Sequence, residues 1–506
     1  MAAAFVAYSG AAEGAPAARR ARVDQNGVLK YGIDLTGSSI NTFDPTGDAS
    51  PATTLMTSLV YDTLLHALPD GSYEPGLAQK VTIVDPQTID VVLHPNMKFT
   101  DGTPVDSAAA QFNYFRMRDS ETGKRNAPNF GTLLGDVEIV SPTEFRFTLT
   151  SPAATLFYDF LVRRESSIAS PTAIKAGTDL TTSPVGAGPF MLTERQEGQH
   201  YAFKKNADYW NAAKIRLTGI DIVGLPEQQS RITSLRAGQI DMGQITTADV
   251  AALKSQYGIV SVSTGDTVIW GLLCKANPPL ADARVRQALI YATNRDELNK
   301  GALAGLGAPM DSLFPKGHVL ANTAVAKKFA FNPAKAKKLL KQAHWKPGTE
   351  ITSYFLSGDI AVQKTAEILQ QQWKKVGISL KLLQSQDIVG DFFTGKKQPM
   401  LLYATGSSAL TKVGRIFTSD SIGNVCGFHD PELVRLATAI SGAAPGLPAA
   451  VKAWKALQTR LWNLGYFVPG LFQPITWAYD KSKLGGVHLT VAEVGFPDWN
   501  TVYVKG

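Results

Sequence analysis

The chain has 506 residues, 44% hydrophobic and 18% charged, with 50 Lys and Arg against 43 Asp and Glu. This is ordinary globular composition, which excludes a disordered or fibrous chain, and the length gives a prior of about three domains or one large fold with insertions. The net charge of +7 is too thinly spread for a nucleic-acid binder, no apolar run approaches the roughly 18 residues of a membrane span, and two cysteines exclude a disulfide-dense scaffold.

Residues 1–27 are set apart from the fold: the opening is small and apolar, and Ala15-Pro16-Ala17 resembles a small-residue cleavage site, but no basic stretch precedes it. It reads as a clipped export signal or as an Ala-rich extension. From Val28 strand-like and helix-like patterns alternate. Leu29–Ile33 predicts a strand, Phe43-Asp44-Pro45 a turn, and Thr54–Leu65 a helix. Asp70-Gly71 and Asp101-Gly102 predict turns closing antiparallel strands, and 88–93 and 144–149 alternate as half-buried strands. Residues 226–237 predict a helix stopped by Gly238, followed by a strand at 240–245. Asp282 is placed to cap a helix over 283–298, and Asn332-Pro333 to open one ending near Trp345. Val362, Ala366, Leu369, Trp373 and Val376 form a helical stripe, Gly377 ends it, and 378–382 alternates as a strand. Such helix–Gly–strand units predict mixed α/β layers. The lysines of 335–341 read as a solvated helix face.

Motifs for catalysis are wanting. There is no Gly-x-Ser-x-Gly elbow, and the seven histidines never fall at helical ligand spacing. Gly390 to Lys396 fits Gly-x₄-Gly-Lys, but Lys397 stands where a phosphate loop needs Ser or Thr. No enzyme, cofactor or directly ligated metal is expected. The sequence leaves open whether Cys274 and Cys426 are bonded or are two buried thiols.

Several segments occur in an order that resembles the family 5 extracytoplasmic solute-binding proteins of ABC importers, the peptide/nickel-binding group. They are Phe43-Asp44-Pro45, Val60-Tyr61-Asp62, the 69–78 stretch, and Lys98-Phe99-Thr100-Asp101-Gly102. Then follow Pro184-Val185-Gly186-Ala187-Gly188, Asn206-Ala207-Asp208-Tyr209-Trp210, Val285-Arg286-Gln287-Ala288-Leu289, Phe331-Asn332-Pro333 and Gly427-Phe428-His429-Asp430-Pro431. The resemblance implies an α/β, two-lobed periplasmic-binding-protein fold of the large type, with the ligand cleft between the lobes. By analogy lobe I covers 28–267 with an extra subdomain at about 60–185, lobe II covers 268–476, and 477–506 returns to lobe I. It implies an extracytoplasmic, monomeric receptor that closes on a small-molecule or peptide ligand and delivers it to ABC permease subunits. A hydrolase on the same scaffold, or a sensor docking a signalling partner, are the alternatives.

In family members that bind peptides, a Gly-Trp dipeptide and then an Asp stand in the lobe II loop, and the Asp pairs with the peptide's amino group. Here the Gly-Trp place reads Thr405-Gly406, and no acid follows before Asp420. A buried ammonium without a carboxylate is costly, so a neutral, anionic or hydroxylated ligand is expected to suit this loop better. The candidate contacts are Thr405, Ser407 and Ser408 in that loop, Thr53 and Thr54 after the opening turn, and Phe130. Arg163 or Arg164 is placed to meet an anionic group, with Trp270 and Tyr403 as aromatic walls.

Overall fold

The structure, a computed structural model, describes residues 22–35, 42–47, 50–68, 70–263, 267–274, 278–394, 399–406, 409–418, 424, 426–441, 448–490 and 495–506. Strand pairing sorts these residues into two large sheets, one of four strands, and two of two strands each.

The first sheet has seven strands, in the order Gly258–Val262, Ile475–Tyr479, Met242–Ile245, Val28–Ile33, Gly219–Gly224, His200–Lys205 and Phe190–Gln196. Val28–Ile33 runs parallel to both its neighbours, and the other pairings are antiparallel. The second sheet has six strands, Ala308–Pro309, Phe467–Phe472, Thr267–Leu273, Met400–Gly406, Glu350–Leu356 and Ser379–Ser385. Each sheet carries its own hydrophobic core. One core is built from residues between Leu29 and Leu217 together with Ile220, Ile222, Met242 and the 477–502 return; the other lies wholly between Val268 and Phe472. The chain therefore crosses between the sheets twice, after Val262 and again between Phe472 and Ile475. A third core, Leu64 to Ala187, lies under the four-stranded sheet Ala78–Asp85, Thr88–Leu93, Glu144–Leu149 and Leu134–Ser141.

Local chemistry explains where elements start and stop. The helix expected over 54–65 runs Pro51–Val60 instead. Ser50 caps it, accepting from Thr53 N at 3.2 Å, with Pro51 in the first turn. It ends at Tyr61 because the Gly186–Gly188 segment presses on that point: a Cβ on Gly188 would lie 2.5 Å from the Val60 carbonyl carbon. The chain then turns extended, and Leu65–Ala67 pairs antiparallel with Tyr73–Pro75 across the Asp70-Gly71 turn. Asp101-Gly102 closes only a single bridge, Lys98 to Pro104. The helix expected over 283–298 is two, Ala283–Ala292 and Arg295–Ala302. Thr293 bonds back to Leu289 O at 2.8 Å, and Asn294 caps the second helix. Three further elements are shorter at their starts or ends than their patterns suggest: Gln228–Arg236, Met242–Ile245 and Pro333–Gln342. Ser379–Ser385 is longer. Cys274 and Cys426 form a disulfide, with Cα atoms 4.6 Å apart.

Candidate functional site

A cavity of about 560 Å³ opens in the half of the molecule built on the first sheet. Its wall comes from the Pro51–Val60 helix and the residues after it, the 162–167 turn, strand Gly258–Val262, Tyr209, and residues of 488–490 and 496–500. Such a volume suits a small organic ligand.

The helix presents Thr54, Thr57 and Ser58 to the cavity, at the spacing that shares one face. Thr57 and Ser58 donate back to helix carbonyls, whereas the Thr54 hydroxyl is buried without a hydrogen-bond partner. Arg164 opens a 3₁₀ turn, Arg164–Ser166, and is 4% exposed. Its Nη1 donates to Pro45 O at 2.5 Å and its Nη2 to Asn126 O at 3.1 Å, while its Nε is buried with no partner. Pro45 is held in turn by Asp44, whose carboxylate forms an ion pair with Arg116 and accepts from Thr46 N at 2.9 Å. Burial opposes that carboxylate's charge, yet Arg116 and Thr46 hold Asp44 below the usual range. Among the described residues Arg164 is thus a buried cation satisfied only by carbonyls. An incoming carboxylate would complete it.

The same cavity is lined by a second polar group. Asp62, just past the helix end, accepts from His66 Nε2 at 2.6 Å, Trp210 Nε1 at 2.8 Å, Tyr209 OH at 2.9 Å and Thr63 N at 2.8 Å. His66 Nδ1 lies 3.8 Å from Glu74, and the Trp210 ring stacks on His94 at 4.3 Å. Burial works against both charges, but each is favoured by the other: Asp62 is lowered, and His66 is pushed up to about 10 by Asp62 and Glu74. Burial pushes the Tyr209 phenol well up, so it stays a donor. Sequence reading did not single out this network as a site. Its two halves, Val60-Tyr61-Asp62 and 206–210, are both segments on which the family resemblance rests, but nothing in a single chain says that residues 148 apart will bond.

Of the sequence candidates, Thr54 and Arg164 line the cavity together, with Arg163 beside them. Thr53 is fully buried, its hydroxyl accepting from Ser50 Oγ at 3.0 Å in the helix cap. Phe130 lies in an aromatic cluster under the small sheet, 5.1 Å from Phe157, and is fully buried. Trp270 is fully buried in the second core against Phe467 and Phe417. Tyr403 pairs with Trp270 in register and is half-buried near Phe393. Thr405 lies in the same strand, opposite Val268. Ser407 and Ser408 lie outside the described residues, as do Lys396, Lys397 and Asp420. Among the described residues no group of three or more His, Cys, Asp or Glu is placed to hold a metal ion, and no helix is long and apolar enough to cross a membrane.

Comparison with known proteins places this geometry. Residues 72–411 match the middle region of the bacterial extracellular solute-binding proteins, family 5. The chain is 24% identical over 474 residues to the glutathione-binding protein GsiB of Shigella flexneri serotype 5b, covering 90% of this chain and 91% of that one. The GsiB of Escherichia coli K12 gives the same identity and coverage. In structure it superposes on the ABC transporter substrate-binding protein CtaP of Listeria monocytogenes with a TM-score of 0.82 at 21% identity, covering 96% of this chain and all of that one. It superposes on NikA of Brucella suis, solved with Fe(III)-EDTA, with a TM-score of 0.80 at 21% identity, covering 95% and 100%. The fold is the two-lobed one of periplasmic binding proteins, and the chain belongs to the bacterial extracellular solute-binding proteins of family 5.

Proposed function

We propose that this receptor captures a small carboxylate-bearing solute, closes its lobes over it, and delivers it to the permease of an ABC importer. The observation that carries the ligand class is Arg164, a buried guanidinium lining the cavity with no carboxylate in reach among the described residues and a free Nε. A buried charge of this kind is stable only when its remaining hydrogen bonds are met. Thr54 adds an unmet hydroxyl on the same wall. The relatives point the same way, since glutathione and EDTA are polycarboxylates. The reading is binding without turnover by a monomer. The Cys274–Cys426 disulfide suits an oxidising, extracytoplasmic setting.

A thermal-shift screen with glutathione, tripeptides and metal-EDTA tests this, with small-angle scattering on each hit. The expected result is stabilisation by at least one carboxylate ligand, with a smaller radius of gyration on binding. Stabilisation only by uncharged solutes, or conversion of a bound compound to product, would overturn it.

A further inference from the structure

The carboxylates and arginines around the cavity pair off, with two exceptions, and His488 also lies on its wall. Asp62 and Glu74 flank His66, and Arg163 lies 3.4 Å from Asp159. Arg164 is left over on the positive side. Asp498 is left over on the negative side, with no cation within 4 Å among the described residues.

Asp498 is held in place by its backbone. Residues 488–490 and 495–498 lie side by side, with Thr490 N donating to Phe496 O at 2.8 Å and Asp498 N to His488 O at 2.9 Å. Trp477 Nε1 donates to Gly495 O at 2.9 Å, and Phe496 lies parallel to Trp499, so the stretch from Gly495 to Trp499 is pinned to the first core. Val502 N and Thr501 N both donate to Asp498 O. One carboxylate oxygen accepts from Asn500 N at 2.9 Å; the other has no hydrogen bond among the described residues. The carboxylate is half-buried on the cavity wall. A fixed, partly desolvated carboxylate of this kind recognises an ammonium.

We infer that Asp498 binds the amino group of a zwitterionic ligand whose carboxylate meets Arg164. The inference rests on the carboxylate reading above and narrows it from anions in general to amino-acid or peptide-like zwitterions. It also answers the question raised by the lobe II loop: an acid missing near Thr405-Gly406 is supplied from the C-terminal return of the other lobe.

The test is calorimetric titration of the full chain with trialanine, glutathione and the N-acetylated form of each. The wild type is expected to bind a free amine at least about tenfold more tightly than its acetylated partner. Asp498→Asn keeps the Asn500 bond acceptor and should abolish that preference while leaving acetylated ligands bound as before. Arg164→Gln should weaken both forms together. Equal binding of free and acetylated forms by the wild type, or a preference that survives Asp498→Asn, overturns the Asp498 assignment and leaves the carboxylate reading standing. Loss of carboxylate dependence as well would overturn both.

Discussion

Replacing Asp62 by Ala probes the polar floor of the cavity. The carboxylate is 7% exposed and accepts four hydrogen bonds, from His66, Tyr209, Trp210 and Thr63. Removing it leaves an imidazolium and three donors, Tyr209 OH, Trp210 Nε1 and Thr63 N, without this acceptor. Breaking a buried ion pair from one side costs about 3–5 kcal/mol. The His66 side chain is 26% exposed, and Glu74 stands 3.8 Å away, so water and Glu74 relieve part of the loss. The lower end, about 3 kcal/mol, is the expected cost, which at roughly 2 °C per kcal/mol lowers the melting temperature by about 6 °C. The titration behaviour adds a check on mechanism. His66 is pushed above its unfolded value of 6.5 to about 10, so its stabilising contribution is complete below 6.5 and is lost as pH rises towards 10. Urea melts at several pH values between 6 and 10 should therefore show declining stability in the wild type, and a flatter profile in Asp62→Ala. The imidazole resonances should titrate far lower in the variant. A cost below about 1 kcal/mol, with His66 still titrating near its wild-type value, would refute the pairing.

Other perturbations separate other parts of the account. His318, from the second-sheet half, packs on the Asp70-Gly71 turn of the first, where Val319 N donates to Asp70 O at 3.1 Å and a Cβ on Gly71 would lie 2.1 Å from His318 Nε2. Burial depresses His318 to about 4, so the unfolded chain takes up its proton first and stability falls as pH drops from 6.5 to 4. His318→Gln should remove about 1–2 kcal/mol of that acid sensitivity, measured by chemical denaturation at pH 7 and 4.5. The Cys274–Cys426 bond closes a loop with a sequence separation of 152 residues. Reducing it should cost about 3–5 kcal/mol, read from melts with and without reductant. Gly188→Ala would set a methyl group 2.5 Å from Val60 backbone and should cost at least about 2 kcal/mol in urea melts; a neutral outcome would contradict the packing that ends the helix.

Periodicity made much of the fold legible because local and tertiary demands agree along it. The stripe from Val362 to Trp373 folds as the helix Ile360–Lys374, with Val376 just past its end, and Asp282 and Asn332 cap helices as their side chains suggest. Disagreement arose where packing overrides pattern. Leu64 and Leu65 continue the helical spacing from Leu55, but the glycine segment at 186–188 occupies the space the next turn would need. At Thr293-Asn294 two side chains compete with the helix for its backbone groups. The site was legible only in part. Arg164 and Thr54 are named from their positions in the sequence, after the 162–163 segment and the opening turn, and both line the cavity. Aromatic rings serve cores and ligand walls alike, and the structure buries Phe130 and Trp270 completely within cores. Asp62 and His66 are four residues apart in sequence, but Tyr209 and Trp210, which complete their network, bond across 147 and 148 residues, and Asp498 joins the cavity wall from the C-terminal return.

The central claim is that Arg164 holds the carboxylate of a small solute. The most direct test is calorimetric titration of the wild type and of Arg164→Gln with glutathione, tripeptides and their carboxamide forms. The account predicts one site per chain, weakened about tenfold or more when the carboxylate is amidated, with that difference gone in Arg164→Gln. Equal affinity for acid and amide in the wild type, or a carboxylate preference that persists without the guanidinium, would contradict it.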